Sequence, residues 1–142
     1  MDHVVYLDAK SNELENLLNS KKSMIIRGAT GRKVPYGKVN MGDILYFINN
    51  NAEGEIRAKG IVASVFNSEK MTKDESIALV KKNQDKLKLT AKQFQKWAGK
   101  RYIVLIEIKN IKKIQYFQFN RDAFKNKMDD WLPVEDIEKV KK

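Results

Sequence analysis

Basic side chains interleaved with aromatic rings are the part of this sequence with the clearest chemistry. Residues 16–42 and 86–106 each contain six basic residues and no acidic residue. Tyr36 lies in the first of these two basic windows, and Trp97 and Tyr102 lie in the second. A cation neutralises phosphate and a flat ring stacks on a base, so the combination is typical of proteins that hold single-stranded nucleic acid or a flipped base.

The two basic windows carry more than the whole net charge of the chain. With 28 basic and 18 acidic side chains the formal net charge is +10, of which the windows hold +12 and the remaining residues −2. Such a distribution suits a polyanionic partner, although a lysine-rich surface also serves solubility. A protein-interaction module with no nucleic-acid role therefore stays as an alternative.

The sequence lacks the residues for a thiol nucleophile, a zinc site or a phosphate loop. There is no cysteine and a single histidine, His3, which we expect at a frayed end or a strand edge. Residues 28–33, GATGRK, do not have the G-x-x-x-x-G-K-[ST] spacing of a phosphate loop. We predict neither a metal site nor a cofactor. The acidic residues near the end of the sequence are expected to form a solvated tail: Asp129, Asp130, Glu135, Asp136 and Glu138.

Length and hydropathy indicate one globular domain. A chain of 142 residues with 42% hydrophobic residues can bury one core. No apolar run reaches the ~18–20 residues that span a bilayer, and residues 1–10 lack the pattern of a secretory signal. We expect a single cytoplasmic domain over residues 1–142, with a barrel core over about 3–119 and a C-terminal extension over 120–142.

Strands and helices are interleaved along the chain. Leucines at helical spacing predict a helix over 11–20. The mixed order predicts an α+β fold, a mixed β-barrel of about five or six strands with flanking helices. Apolar and β-branched patterns predict the strands, which cover residues 3–7, 23–28, 44–48, 56–66, 101–111 and 114–119.

Two capping boxes mark the starts of further helices. Thr72 with Glu75 predicts a helix from Lys73 to about Asn83. A second capping box, with the same spacing, consists of Thr90 and Gln93 and starts a helix that Gly99 should end.

Arg27 stands in an apolar strand, where a charged side chain needs water, a carboxylate or a ligand. Strand alternation places Ile25 and Arg27 on one face. The other face carries Met24 and Ile26, which we expect to fill the barrel interior, while Arg27 emerges at the strand end. There its guanidinium could take a phosphate or a base edge. The alternative is that Arg27 pairs with a barrel carboxylate such as Asp43.

A glycine-rich loop over 28–43 follows residues 22–27, KSMIIR, and ends with Gly42-Asp43 just before a strand. This arrangement resembles the motif of the ASCH domain family in the PUA-like superfamily. In that family a short helix leads into a K-[TS]-x-x-x-R strand, and a G-D pair begins the next strand. WAGKRYIVLIEI at 97–108 is similar to the closing barrel strand, so the resemblance covers roughly residues 10–110. It implies a PUA-like pseudo-barrel whose cleft takes RNA or a nucleobase, often a modified one.

The resemblance also raises a hydrolase hypothesis. Some small ASCH proteins are amidohydrolases acting on acetylated cytidine, with a lysine, a threonine three positions later and a glutamate. Lys22 matches that lysine, whereas Ile25 occupies the threonine position and has no hydroxyl. Many family members also carry an acid at the position of Ile25, and the glutamate has no assigned place in this sequence. A small amidohydrolase with Lys22 as its activating group is the second hypothesis.

The function predicted is a nucleic-acid-binding module that recognises RNA or a modified nucleobase in a basic cleft, with a binding domain favoured over an enzyme. The expected partner is nucleic acid, RNA rather than DNA, or a nucleoside; no membrane contact is expected, and the oligomeric state stays open. Trp97 either stacks on a base or packs in the core. The predicted contact residues are Lys22, Arg27, Arg32, Lys33, Tyr36, Lys38, Trp97, Lys100 and Arg101.

Overall fold

The computed structural model describes residues 1–123 and 129–142. No helix within these two ranges is long and apolar enough to cross a membrane. The strands are β1 (Asp2–Leu7), β2 (Met24–Ala29), β3 (Ile44–Asn49), β4 (Glu55–Asn67), β5 (Tyr102–Gln118) and β6 (Trp131–Glu135). The α-helices are α1 (Glu13–Leu18), α2 (Lys73–Lys82), α3 (Gln84–Leu87) and α4 (Ala91–Trp97), and 3₁₀ turns cover Arg121–Ala123 and Ile137–Val140.

The strands join one six-stranded sheet in the order β2-β5-β4-β3-β1-β6. β1 and β3 run parallel, and the other neighbouring pairs are antiparallel. The sheet is curled, so that its two edges lie close together. Arg27 of the edge strand β2 donates a hydrogen bond to the carbonyl of Tyr6 in β1, and the Tyr6 N–H donates to the carbonyl of Asp130 next to β6. The predicted α+β PUA-like barrel is confirmed as a curled half-barrel with flanking helices.

Apolar side chains from all six strands fill the interior of the half-barrel. Phe47 of β3 and Trp131 of β6 are its largest fully buried members, and Leu17 packs α1 against them. Gly60 makes this packing possible, because a Cβ at that position would lie 2.6 Å from Cγ2 of Ile108. The register between β4 and β5 shifts at the same place, between Lys59 and Ile61, as is common where a glycine lies inside a strand.

Both faces of β2 are buried, which corrects one prediction. Ile25 lies in the interior cluster, whereas Met24 and Ile26 pack under the helices together with Val80 of α2. The expectation that Met24 and Ile26 fill the barrel interior is therefore wrong. An apolar run such as Met24–Ile26 does not tell which of two buried faces is the inner one, because helices cover the outer face.

The two capping boxes predicted the starts of α2 and α4 correctly. Both capping boxes are present, at Thr72 and at Thr90, and Gly99 follows α4 with a φ of +96°. The segments predicted as separate strands over 101–111 and 114–119 form the single strand β5. Within the expected C-terminal extension, residues 131–135 form β6 and pair with β1, a strand that the pattern had not predicted.

Candidate functional site

A cleft of about 960 Å³ opens at the seam between the two edge strands of the sheet. The end of β2 and Tyr6 of β1 form its floor, and α4 forms one wall. The glycine-rich loop forms another wall through Gly31 and residues 33–36. Asp129 and Asp130 reach the cleft just before β6 begins.

Arg27 lies at the floor of the cleft and is 7% exposed. Its Nη1 donates to the carbonyl of Ile26 at 2.8 Å, and its Nη2 donates to the carbonyl of Tyr6 at 2.6 Å. Nε forms an ion pair with Oδ2 of Asp130 at 3.2 Å, without hydrogen-bond geometry. The carboxylate beside Arg27 is thus Asp130, and the suggested pairing with Asp43 is wrong.

Two tryptophans lie beside the Arg27 guanidinium. Its Cζ is 5.8 Å from the ring centroid of Trp97 and 5.7 Å from that of Trp131. Trp131 belongs to the core, whereas Trp97 is half-buried, packs on the core under the helices and also lines the cleft. The two roles considered for Trp97, core packing and an aromatic surface for a ligand, are therefore compatible in this geometry.

Basic side chains outnumber acidic ones around the cleft. Its described lining residues include seven cations and four carboxylates. Three of the carboxylates are ion-paired: Glu13 with Lys22, Asp129 with Lys33, and Asp130 with Arg27. Four lining lysines have no ion pair with any described residue, namely Lys10, Lys92, Lys96 and Lys100.

The glycine-rich loop is anchored by an aromatic pair. The Tyr36 hydroxyl donates to the carbonyl of Ser68, and its ring meets Tyr102 edge-on with centroids 5.6 Å apart. Cζ of Arg32 lies 5.6 Å from both tyrosine ring centroids, outside the set of cleft-lining residues. Tyr36 is thus held as part of the cleft wall.

A buried ion pair stands behind one end of the cleft. Nζ of Lys22 lies 2.6 Å from Oε2 of Glu13, and both side chains are almost fully buried. The other oxygen, Oε1, accepts the backbone N–H of Asp8 at 3.1 Å. Glu13 lines the cleft and Lys22 does not. The carboxylate that the family pattern places at Ile25 is thus absent, and the partner of Lys22 comes from α1.

His3 is fully buried and belongs to β1, which lies between β3 and β6, so its expected place at a frayed end or a strand edge is wrong. Its Nε2 lies 2.8 Å from Oδ2 of Asp43, and Nε1 of Trp131 donates to its Nδ1 at 3.1 Å. Since the indole N–H can only donate, Nδ1 accepts and the proton sits on Nε2. Burial lowers the pKa of His3, and Asp43 only partly opposes the shift. Burial alone would raise the pKa of Asp43, but hydrogen bonds from Asn40 and His3 bring it below its ordinary value.

The residues expected to form an acidic tail fall into two groups. Asp129 and Asp130 line the cleft and pair with basic residues, so for them the solvated-tail prediction is wrong. The other three acidic residues, Glu135, Asp136 and Glu138, are exposed. No group of three or more His, Asp or Glu side chains within the described ranges could hold a metal ion.

Five of the nine predicted contact residues line the cleft: Arg27, Lys33, Tyr36, Trp97 and Lys100. The other four, Lys22, Arg32, Lys38 and Arg101, do not. Sequence reasoning missed Tyr6, Glu13 and Arg121, which come from segments without a basic or glycine-rich signal. Lys92 and Lys96 were part of the second basic window, and their four-residue spacing with Lys100 was a signal that could have placed them in the site.

Comparisons with known proteins support the fold. No family model and no curated protein matches the chain. Among solved structures, the ASCH protein from Zymomonas mobilis is similar with a TM-score of 0.67 and 12% identity, over 94% of this chain and 89% of that one. A single-site variant of the same protein gives a TM-score of 0.71 and 10% identity, over 97% and 91% of the two chains.

These likenesses show the fold alone, which is the curled half-barrel described above. The chain has the fold of ASCH domain proteins. The resemblance found in residues 22–27 and 97–108 is thereby confirmed at the level of the fold.

Proposed function

We propose that the cleft binds a single-stranded stretch of nucleic acid, RNA in the first place, with a base inside the cleft and phosphates along its lysine rim. The observation that carries this proposal is that four of the lysines lining the cleft have no carboxylate partner among the described residues, while aromatic side chains line the same cleft. Unpaired ammonium groups attract phosphates and release counterions, while aromatic rings accept bases of any sequence. RNA is favoured over DNA because the resemblance to the ASCH family implies a cleft that takes RNA or a nucleobase.

The spacing of the α4 lysines suits a strand of phosphates. Lys92 and Lys96 are one helical turn apart on the same face, a rise of about 6 Å, and both line the cleft. Lys100 follows beyond the helix end on the same wall. Nζ of Lys96 lies 4.7 Å from the ring centroid of Trp97, so a base that stacks on this ring would take the place of the ammonium group and leave it facing the phosphates.

The direct test removes the α4 rim. In the variant Lys92→Ala/Lys96→Ala/Lys100→Ala we expect weaker binding of a fluorescein-labelled RNA octamer and a salt dependence of log Kd that is shallower by about 2, because each phosphate contact on a single strand contributes about 0.7. Fluorescence anisotropy at salt concentrations from about 50 to 200 mM measures both quantities, because the affinity for nucleic acid changes steeply over this range.

A charge-matched control separates this site from general basicity. Lys109, Lys112 and Lys113 are exposed on β5, line no part of the cleft, and have no ion pair among the described residues. Replacing these three by alanine should leave the affinity within about two-fold of the parent, since only the remote field changes. Equal losses in the two triple variants would contradict the proposal, because net charge alone would then account for the binding.

The second candidate is an amidohydrolase acting on an acylated nucleoside such as acetylated cytidine. The observation in its favour is the Lys22–Glu13 pair, an amine and a carboxylate 2.6 Å apart at the cleft wall. Against it, the described cleft lining contains no serine, threonine or cysteine, and the Lys22 side chain is 2% exposed. Incubation with N4-acetylcytidine followed by chromatography tests it, and release of cytidine that Lys22→Met abolishes would support the enzyme.

A further inference from the structure

Glu13 combines deep burial with access to the cleft. Its side chain is 7% exposed and lines the cleft, while Lys22 stands behind it and does not. Burying an ion pair costs desolvation that the attraction between the charges often fails to recover. A buried pair at a cleft wall is therefore better explained by a role toward a ligand than by stability alone.

The hydrogen bonds that Glu13 already makes leave acceptor sites free. A carboxylate has about four lone-pair positions, and two are used, by the Asp8 N–H and by Lys22 Nζ. The side-chain amide of Gln93, which also lines the cleft, is already engaged, because its Nε2 donates to Asp8 and to Ser11 and its Oε1 accepts the Thr90 N–H. The hydrogen-bonding capacity that Glu13 itself leaves free is thus that of an acceptor.

We propose that Glu13 determines base specificity, and that the cleft prefers a base with an exocyclic amino group. This inference rests on the proposed nucleic-acid function. An ionised carboxylate accepts hydrogen bonds and donates none, so it favours the N4 amino group of cytosine. Uracil places a carbonyl oxygen at that position, and two acceptors facing each other in a buried site repel. Lys22 acts as a positioning residue that holds the carboxylate and compensates its charge.

Labelled octamers of cytidylate and uridylate test this preference. The two probes carry the same number of phosphates on the same sugar and present rings of the same size, so the ratio of their Kd values isolates the base edge. We expect octacytidylate to bind about ten-fold or more tightly than octauridylate, the range for one good polar contact to a base. Similar affinities of the two octamers for the parent protein would overturn the proposal.

A double variant assigns the preference to Glu13. Glu13→Gln/Lys22→Met removes both charges together, so no uncompensated charge stays buried, and the ratio should fall to within about two-fold. Glu15→Gln is the control, because Glu15 is an exposed residue of the same helix outside the cleft. It should keep the parental ratio.

The outcomes separate this inference from the proposed function. If the folded double variant, checked by circular dichroism, still prefers octacytidylate, Glu13 is not the specificity residue, although the nucleic-acid proposal stands. If both octamers bind the parent with a strong salt dependence but equally well, the inference alone fails. If neither binds, the proposed function fails and this inference fails with it.

Discussion

At the scale of single residues, Arg27 bridges strands that are not neighbours in the sheet. Its planar fork reaches the carbonyl of Tyr6 in β1 and the carboxylate of Asp130 beside β6, although β2 lies at the opposite edge of the sheet. A lysine has one terminal nitrogen and cannot hold such an arrangement. Arg27 therefore belongs to the structure of the seam as well as to the floor of the cleft.

The first residue-scale prediction is that Arg27→Lys lowers the free energy of unfolding by about 1.5–3 kcal/mol, the range for losing a hydrogen bond from a charged donor. Urea denaturation followed by tryptophan fluorescence measures the change. Arg32→Lys is the matched control, because Arg32 is exposed and its recorded contacts are with tyrosine rings. An unchanged stability with a large loss of octamer affinity would mean that Arg27 serves the ligand rather than the seam.

The sequence located the key side chains better than their partners. The K-[TS]-x-x-x-R motif pointed to Lys22 and Arg27, because a charged residue next to an apolar strand is a local signal. Their carboxylates, Glu13 and Asp130, lie in segments whose pairing depends on the folded sheet. Only the tertiary arrangement brings them together, so no spacing in the sequence could predict these pairs.

At the scale of elements, the success of prediction followed how local the signal was. The capping boxes at Thr72 and Thr90 act within one helical turn, and both are present. β6 had no such signal: it has five residues and contains Pro133, which lowers the expectation of a strand. Proline is tolerated there because β6 is an edge strand with one free side. Its place is fixed by pairing with β1, which no local pattern reports.

The element-scale prediction concerns the close packing of Gly60 in β4 against Ile108 in the neighbouring strand β5. Gly60→Ala should destabilise the protein by about 1–3 kcal/mol, because the added methyl would overlap Ile108 in a closely packed interior. Gly31→Ala is the control, since nothing lies within 4 Å of a Cβ there. Urea denaturation of the two variants measures the difference. Equal stabilities would show that the strands can move apart at no cost.

At the scale of the whole molecule, the His3 network connects distant parts of the chain. His3 in β1 bonds Asp43 at the start of β3 and Trp131 in β6, and the N-terminal amino group lies 3.7 Å from Asp43. Protonation of His3 at Nδ1 would break the bond from Trp131. The packing of β1 against β3 and β6 is thus coupled to one titrating side chain.

The corresponding prediction is a loss of stability in mild acid. The pKa of His3 is lower in the folded chain than its ordinary value, so the unfolded chain binds the proton first as the pH falls through about 6.5. The free energy of unfolding should therefore be highest above that pH and decrease below it. The lowered pKa of Asp43 adds a second loss at pH values below the ordinary range of a carboxyl.

Urea denaturation measures the first of these losses. It is carried out at several pH values from about 7.5 to about 5.5, on both sides of the ordinary histidine pKa of about 6.5. His3 is the sole histidine of the sequence, so His3→Gln should remove most of the slope in that window. A parent protein whose stability is constant there, or rises as the pH falls, would contradict the buried neutral state of His3.

The pairing of β1 with β6 also bears on the order in which the molecule folds. Val5 lies opposite Trp131, so the pairing that brings Asp129 and Asp130 to the cleft joins residues far apart in sequence. Such contacts form late, since the entropy of closing the long loop must be overcome first. A ligand of the finished cleft then binds the native state and none of its precursors. At a concentration 100 times its Kd it would add about 2.7 kcal/mol to the free energy of unfolding. It would thereby oppose the separation of β6 from β1.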